Sequence, residues 1–292
     1  MRARLRPKLL TQHALRALGV YERVKTSWLY DLYWTLADPD ILQTRKREES
    51  FYRTLLSDMR KGGTVFDIGA NVGYKTDIFL RLGARVIAVD PDSSNQRTLR
   101  RRFQTLRLRR RRVEVVSKAV SDATGSATMY VEAPGSAKNT MNTKWVEALR
   151  EDETRFGHRL GFSETALVGT VTLDDLIADH GVPFYIKIDV EGHESRVLRG
   201  LTRAVPLVSF EVNLPQFLGE GLECIHRLTE LDLTGQFSYV TASLANPPIR
   251  EWLTADAVVP LISSAEADSI EVLWRSPAAL ATYDALLPTE ND

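Results

Sequence analysis

From Thr64 onward, short apolar runs alternate with longer mixed stretches, and this alternation constrains the fold more than any other feature. Thr64-Val-Phe-Asp-Ile68, Arg85-Val-Ile-Ala-Val89 and Val113-Glu-Val-Val116 are short runs rich in β-branched side chains, as buried strands require. Between them lie two stretches with helical spacing, Tyr74 to Leu82 and about Ser93 to Leu108. Parallel strands need crossovers of this length, and helices supply them. The pattern predicts an α/β chain with a doubly wound, Rossmann-like sheet.

The alternation continues later. Val168 to Val171 is extended, Thr172 caps a helix from Leu173 to His180, and Phe184 to Ile188 is a strand ending at Asp189. A helix from Glu191 to Leu201 leads to a strand at Leu207–Val212. A helix from Gly221 to Leu233 then precedes strands at Phe237–Val240 and Ser269–Trp274. The late pair predicts a mostly parallel sheet with one antiparallel edge strand. Ser126 to Val131 reads as an added strand. Residues from about 133 to 167 break the rhythm and are expected to form an inserted cap or substrate loop. Residues 1–60, with aromatics at helical spacing and a break at Asp38-Pro39, are expected to be an N-terminal helical extension. The main domain is then 61–292.

Composition removes several classes. Lysine plus arginine and aspartate plus glutamate both number 38, so the whole chain has no electrostatic pull toward nucleic acid or anionic membrane. Nine arginines lie between Arg97 and Arg112; they read as a charged helix face rather than an RNA site. A single cysteine, Cys224, rules out an intramolecular disulfide and a cysteine zinc site. No window reaches the roughly 18 apolar residues of a membrane span. The basic start is not followed by an apolar core, so the chain reads as cytoplasmic. Asn246-Pro247-Pro248-Ile249 follows the sixth strand of the main series, ends in no aromatic, and reads as a loop.

In open parallel sheets, ligands bind beyond the carboxyl ends of the strands where the winding reverses. The first such turn is Asp67-Ile-Gly69-Ala70-Asn71-Val-Gly73. Its glycines admit close backbone approach, but the dinucleotide spacing G-x-G-x-x-G is not met. Asp67 would repel a pyrophosphate and suits the ammonium and sulfonium charges of S-adenosylmethionine. Asp90, ending the second strand, is placed to accept hydrogen bonds from ribose hydroxyls. Ser117 and Ala119, beyond the third strand, lie where an adenine ring would be held. The expected cofactor site is thus Asp67, Gly69, Ala70, Asn71, Gly73, Asp90, Ser117 and Ala119.

With these residues in view, the chain resembles the FkbM-type family of S-adenosylmethionine-dependent methyltransferases. The resemblance runs through Phe66-Asp-Ile-Gly-Ala-Asn-Val-Gly73, Val89-Asp-Pro91, Lys118-Ala-Val-Ser-Asp122 and Thr172-Leu-Asp-Asp-Leu176. It continues through Ile186-Lys-Ile-Asp-Val-Glu-Gly-His-Glu194 and Ser209-Phe-Glu-Val-Asn213, over roughly residues 60 to 215. The glycine turn is generic to this class, whereas the stretch from Ile186 to Glu194 is much more specific. The family usually carries glutamate where Asp90 stands. The resemblance implies a class I methyltransferase sheet, S-adenosylmethionine as cofactor, and methylation of a hydroxyl on a sugar, polyketide or other small molecule. It leaves the acceptor and the oligomeric state open.

Asp189 ends a strand facing the same crevice, and His193 follows in the next turn. Both are candidates for orienting and deprotonating an acceptor hydroxyl, a task in which a positioned base contributes roughly 10²–10⁴ in rate. A second route has Asp189, Glu211 and Asn213 offering oxygen atoms to Mg²⁺, but magnesium is not favoured. The rival functions are a scaffold that binds S-adenosylmethionine without turnover and an RNA methyltransferase.

Overall fold

The computed structural model describes residues 39–104, 112–151, 160–241, 249 and 251–286. The chain divides into two units between Ser50 and Phe51, inside helix α1 (Pro39–Leu55), and both sheets belong to the second unit. The earlier part of the expected N-terminal extension, most of the arginine run after Gln104, and Asn246-Pro247-Pro248 lie outside the described residues.

Seven strands form the main sheet in the order β3-β2-β1-β7-β8-β10-β9. They are β1 (Thr64–Ile68), β2 (Arg85–Val89), β3 (Val113–Val116), β7 (Tyr185–Ile188), β8 (Leu207–Asn213), β9 (Gln236–Thr241) and β10 (Ser269–Arg275). Helices α2 (Tyr74–Arg81), α3 (Ser93–Phe103), α5 (Leu173–His180), α6 (Glu194–Arg199), α7 (Leu218–Leu231) and α8 (Ala255–Ser263) connect them, with α9 (Pro277–Leu286) following β10. From β1 the chain winds outward to β2 and β3, then returns to β7 on the other flank. The reversal between β1 and β7 opens the crevice.

The central strands are apolar on both faces because each face is covered. Phe66, Ile68, Ile87, Ile186, Ile188 and Phe210 pack into one core layer. Val65, Val86, Ala88, Tyr185 and Leu207 face the other, with Phe51, Tyr52 and Phe79 against them. The second face also carries polar groups in register, since Asp67 pairs Lys187 and Lys187 pairs Ser209. On α3 the buried positions are Asn95, Leu99 and Phe103, four apart, with Arg97, Arg100 and Arg101 exposed, as a charged outer face requires.

Four sequence expectations need correction. The antiparallel strand, β10, is not at the edge; it lies between β8 and β9. Ile270, Val272, Leu273 and Trp274 are all buried, so β10 needs a neighbour on each side, whereas the more polar β9 tolerates the edge. Second, the added strand β5 (Gly125–Val131) belongs to a separate sheet, β4-β6-β5, with β4 (Ala119–Val120) and β6 (Glu164–Val171). Strand β6 begins inside the segment expected to be insert. Its first six residues alternate between exposed and half-buried positions, so no apolar run announced it. Third, α6 begins at Glu194 because Glu191 and Gly192 adopt left-handed backbone (φ 54° and 91°). Fourth, α7 begins at Leu218 rather than Gly221. The rest of the insert includes helix α4 (Thr143–Glu151).

Candidate active site

The turn after β1 is held by its own main chain. The Gly69 and Ala70 amides both donate to the Val89 carbonyl, at 2.9 and 3.0 Å, which fastens the turn to the end of β2. Gly69 (φ 81°), Asn71 (φ 50°) and Gly73 (φ 82°) are left-handed. A Cβ on Gly69 would lie 1.9 Å from the Asp189 carbonyl oxygen, and one on Gly73 would lie 2.4 Å from the Phe103 ring. These glycines therefore let β1 meet β7 and let the turn pack on α3. Packing by itself thus requires glycine at both positions.

Asp90, at the end of β2, accepts the Asn71 amide on Oδ2 (2.8 Å), the Asp92 amide on Oδ1 (2.9 Å), and Asn95 Nδ2 on both oxygens (3.2 and 3.3 Å). Burial pushes its pKa up to about 6 against those donors. Asn95 Oδ1 is buried and has no hydrogen-bond partner among the described residues. Asp67 lies under the turn, 1% exposed, with Oδ2 accepting from Thr76 Oγ1 (2.6 Å) and Oδ1 unpartnered. Burial raises its pKa.

Asp189 follows β7, its amide donating to the Ile68 carbonyl. Two residues earlier, on the same face, the buried Lys187 ammonium donates to Asp189 Oδ2 at 2.8 Å. The Asp189 side chain is 37% exposed, against 5% for Lys187. Burial alone would raise the Asp189 carboxyl, but Lys187 outweighs it and holds the group below the usual carboxylate range. Lys187 is raised despite its burial by the charges of Asp189 and Asp67. Glu211, beyond Asp189 on β8, is raised by burial and by the Asp189 charge.

A cleft open to solvent runs across these strand ends. Of the expected residues, Gly69, Asn71, Asp90, Ala119 and Asp189 line it. Asp67, Ala70, Gly73, Ser117 and His193 are not in its lining. Ser117 accepts a hydrogen bond from Arg100 at the surface. His193 caps α6 with Nε2 3.0 Å from Ser121 Oγ, and burial, reinforced by Arg196, lowers its pKa to about 4. Asn95, Lys118, Met129, Ser136, Ala137, Asn139, Thr140, Met141 and Glu191 also contribute to the wall, although their spacing marked none of them. Lys118 and Glu191 stand inside the motifs quoted above, Ser136 to Met141 fall in the expected cap or substrate loop, and Asn95 sits at the third position of a helix capped by Asp92.

The donor set does not fit magnesium. Lys187 occupies one oxygen of Asp189, and neither Glu211 nor Asn213 lines the cleft. No cluster of three or more His, Cys, Asp or Glu among the described residues is arranged to hold a metal ion. Among those residues, no helix is long and apolar enough to cross a membrane. Cys224 is a buried thiol within α7.

Residues 67–233, more than half the chain, match the family described as the methyltransferase FkbM domain. The chain belongs to that family. The FkbM family is catalytic and uses S-adenosylmethionine as its methyl donor. The hexuronic acid methyltransferase AglP of Haloferax volcanii is 25% identical over 167 residues, which cover 56% of this chain and 61% of AglP. The chain thus spans less than two thirds of that relative. A solved methyltransferase FkbM from Methylobacillus flagellatus aligns with a TM-score of 0.45 and 17% identity, over 74% of this chain and 44% of that one. The C-terminal domain of precorrin-6Y C5,15-methyltransferase from Rhodobacter capsulatus aligns at 0.39 and 15%, over 76% and 85%.

Proposed function

We propose that this FkbM-family protein transfers a methyl group from S-adenosylmethionine to a hydroxyl oxygen of a sugar, glycan or other small molecule, with Asp189 receiving the acceptor proton. The observation that carries this is Asp189 itself: an ionised carboxylate at the switch point, part-exposed to the cleft and aimed by a buried lysine.

The cleft suits the donor. Asp90 offers acceptor oxygens for ribose hydroxyls. Val89, Ala119, Val120 and Met129 supply apolar walls for a flat ring. S-adenosylmethionine supplies an electrophilic methyl on positively charged sulfur. An acceptor hydroxyl needs in-line placement at about 3 Å and a group to take its proton. Asp189 holds the Lys187 ammonium on Oδ2 and reaches the cleft, so it orients the hydroxyl and accepts that proton. A sugar acceptor accords with AglP being a hexuronic acid methyltransferase and with the polar wall of Ser136, Asn139 and Thr140.

Calorimetry with S-adenosylhomocysteine, with NAD as the contrast, tests the cofactor, and labelled methyl transfer to a panel of sugars tests the chemistry. The expected result is binding of S-adenosylhomocysteine alone. Asp189→Asn should keep that affinity and lose about 10²–10⁴ in turnover. Wild-type turnover in that variant clears Asp189, and binding of NAD alone overturns the cofactor assignment.

A further inference from the structure

The eight residues Glu132–Asn139 between β5 and α4 are bonded mostly to one another. The Glu132 amide donates to Asn139 Oδ1 (2.9 Å), and Asn139 Nδ2 donates to the Ala133 carbonyl (3.0 Å). The Ser136 amide donates to Ala133 (3.0 Å), and the Lys138 amide to Ser136 Oγ (3.1 Å). The segment leaves and rejoins the protein at one place, where Tyr130 and Thr140 exchange main-chain bonds of 2.8 and 3.1 Å. Thr140 is fixed there a second time, its hydroxyl donating to the Glu191 carbonyl (2.8 Å).

The bonds that dock this segment elsewhere end on two acidic side chains, one on each flank of the cleft. Asp92 Oδ2, two residues past Asp90, accepts the Gly135 amide (2.9 Å) and Asn139 Nδ2 (2.8 Å). Glu191 Oε1, two residues past Asp189, accepts Lys138 Nζ at 2.8 Å. Both acids are held in place. The other oxygen of Asp92 caps α3 through Ser94 and Asn95, and Glu191 Oε2 accepts Trp145 Nε1 (2.9 Å). Glu191 also sits in left-handed backbone, a conformation a non-glycine keeps only where its surroundings impose it. Ser136, Ala137 and Asn139 meanwhile face the cleft.

A unit that is stiff inside, joined at one bridge and docked on the side chains of Asp92 and Glu191, moves as a body more readily than it unravels. We infer that Glu132–Asn139 is a flap that swings on the Tyr130–Thr140 bridge and closes over the methyl donor, and that Asp92 and Glu191 are the positioning residues that latch it. This rests on the proposed cofactor site. In the latched position Ser136 and Asn139 face the cleft, and a bound donor leaves once the flap swings away.

The test compares wild type with Lys138→Met and Glu191→Gln. Amide exchange is followed by NMR on the ligand-free protein, and S-adenosylhomocysteine release by stopped flow. Losing one charge-assisted bond should speed exchange of the Gly135 amide, and release, by about tenfold. The Ser136 amide, bonded within the flap, should be unaffected. Lys138 is part-exposed, so its variant should fold even if Glu191→Gln does not. Equal acceleration of Gly135 and Ser136 means the segment unravels, and unchanged exchange or unchanged release means no latch; each overturns the flap. If none of the three proteins binds S-adenosylhomocysteine, the cofactor reading fails, while the contrast between Gly135 and Ser136 still decides whether the segment swings.

Discussion

Asp189 and His193 stand four residues apart, yet the fold places them in different surroundings. Asp189 reaches the cleft with a lysine behind it, whereas His193 turns to Ser121 and Arg196 outside the cleft lining. Sequence spacing alone could not separate them, because the left-handed residues Glu191 and Gly192 rotate the chain between the two. The histidine leaves a signature in stability. Its folded pKa, about 4, lies below its ordinary 6.5, so the unfolded chain binds the proton first. Stability is therefore complete above about pH 6.5 and lost as pH falls toward 4. We expect wild type to lose about 1 kcal/mol between pH 7 and pH 5 through this group, allowing for its partial exposure. Urea titrations of His193→Gln should show that much less pH dependence. If the pH profile of turnover, rather than of stability, follows His193, the residue acts in the chemistry.

At the level of elements, the glycine turn was legible, but its physical reason was only partly so. Spacing pointed to ligand approach, and the structure adds that β1, β7 and α3 converge too tightly for a side chain. The two glycines should differ on substitution. Gly69→Ala drives a Cβ into the Asp189 main chain, which cannot move without breaking the β1–β7 pairing. Gly73→Ala meets the Phe103 and Leu99 side chains, which can shift. Both also force alanine into left-handed backbone, at about 1–2 kcal/mol. We expect Gly73→Ala to fold with a lowered melting temperature and Gly69→Ala to lose more, by calorimetric scanning. Equal losses would show that backbone conformation, not the neighbour, sets the cost. The cap was legible only as an interruption. Its β6 strand is half-exposed, and the Asp92 and Glu191 contacts join residues far apart in the chain.

Across the whole molecule, the last strand completes the sheet from within. Trp274 on β10 is fully buried, and β10 pairs with both β8 and β9. Trp274→Ala should cost about 3–5 kcal/mol in urea unfolding, the usual range for a large core aromatic. A cost near zero would mean that β10 contributes little to the core. Buried apolar runs, a glycine-bearing turn and carboxylates at strand ends are local properties, so the sequence alone determined the doubly wound sheet, the switch point and the acidic character of the cleft. Tertiary structure decided which carboxylates line that cleft, where the antiparallel strand sits, and which residues of the inserted segment face it. The reason is physical. Periodicity records whether a residue is buried, but its partners depend on which distant segments arrive beside it: Lys187 behind Asp189, Ser121 beside His193, and Asp92 and Glu191 holding the same loop from opposite sides.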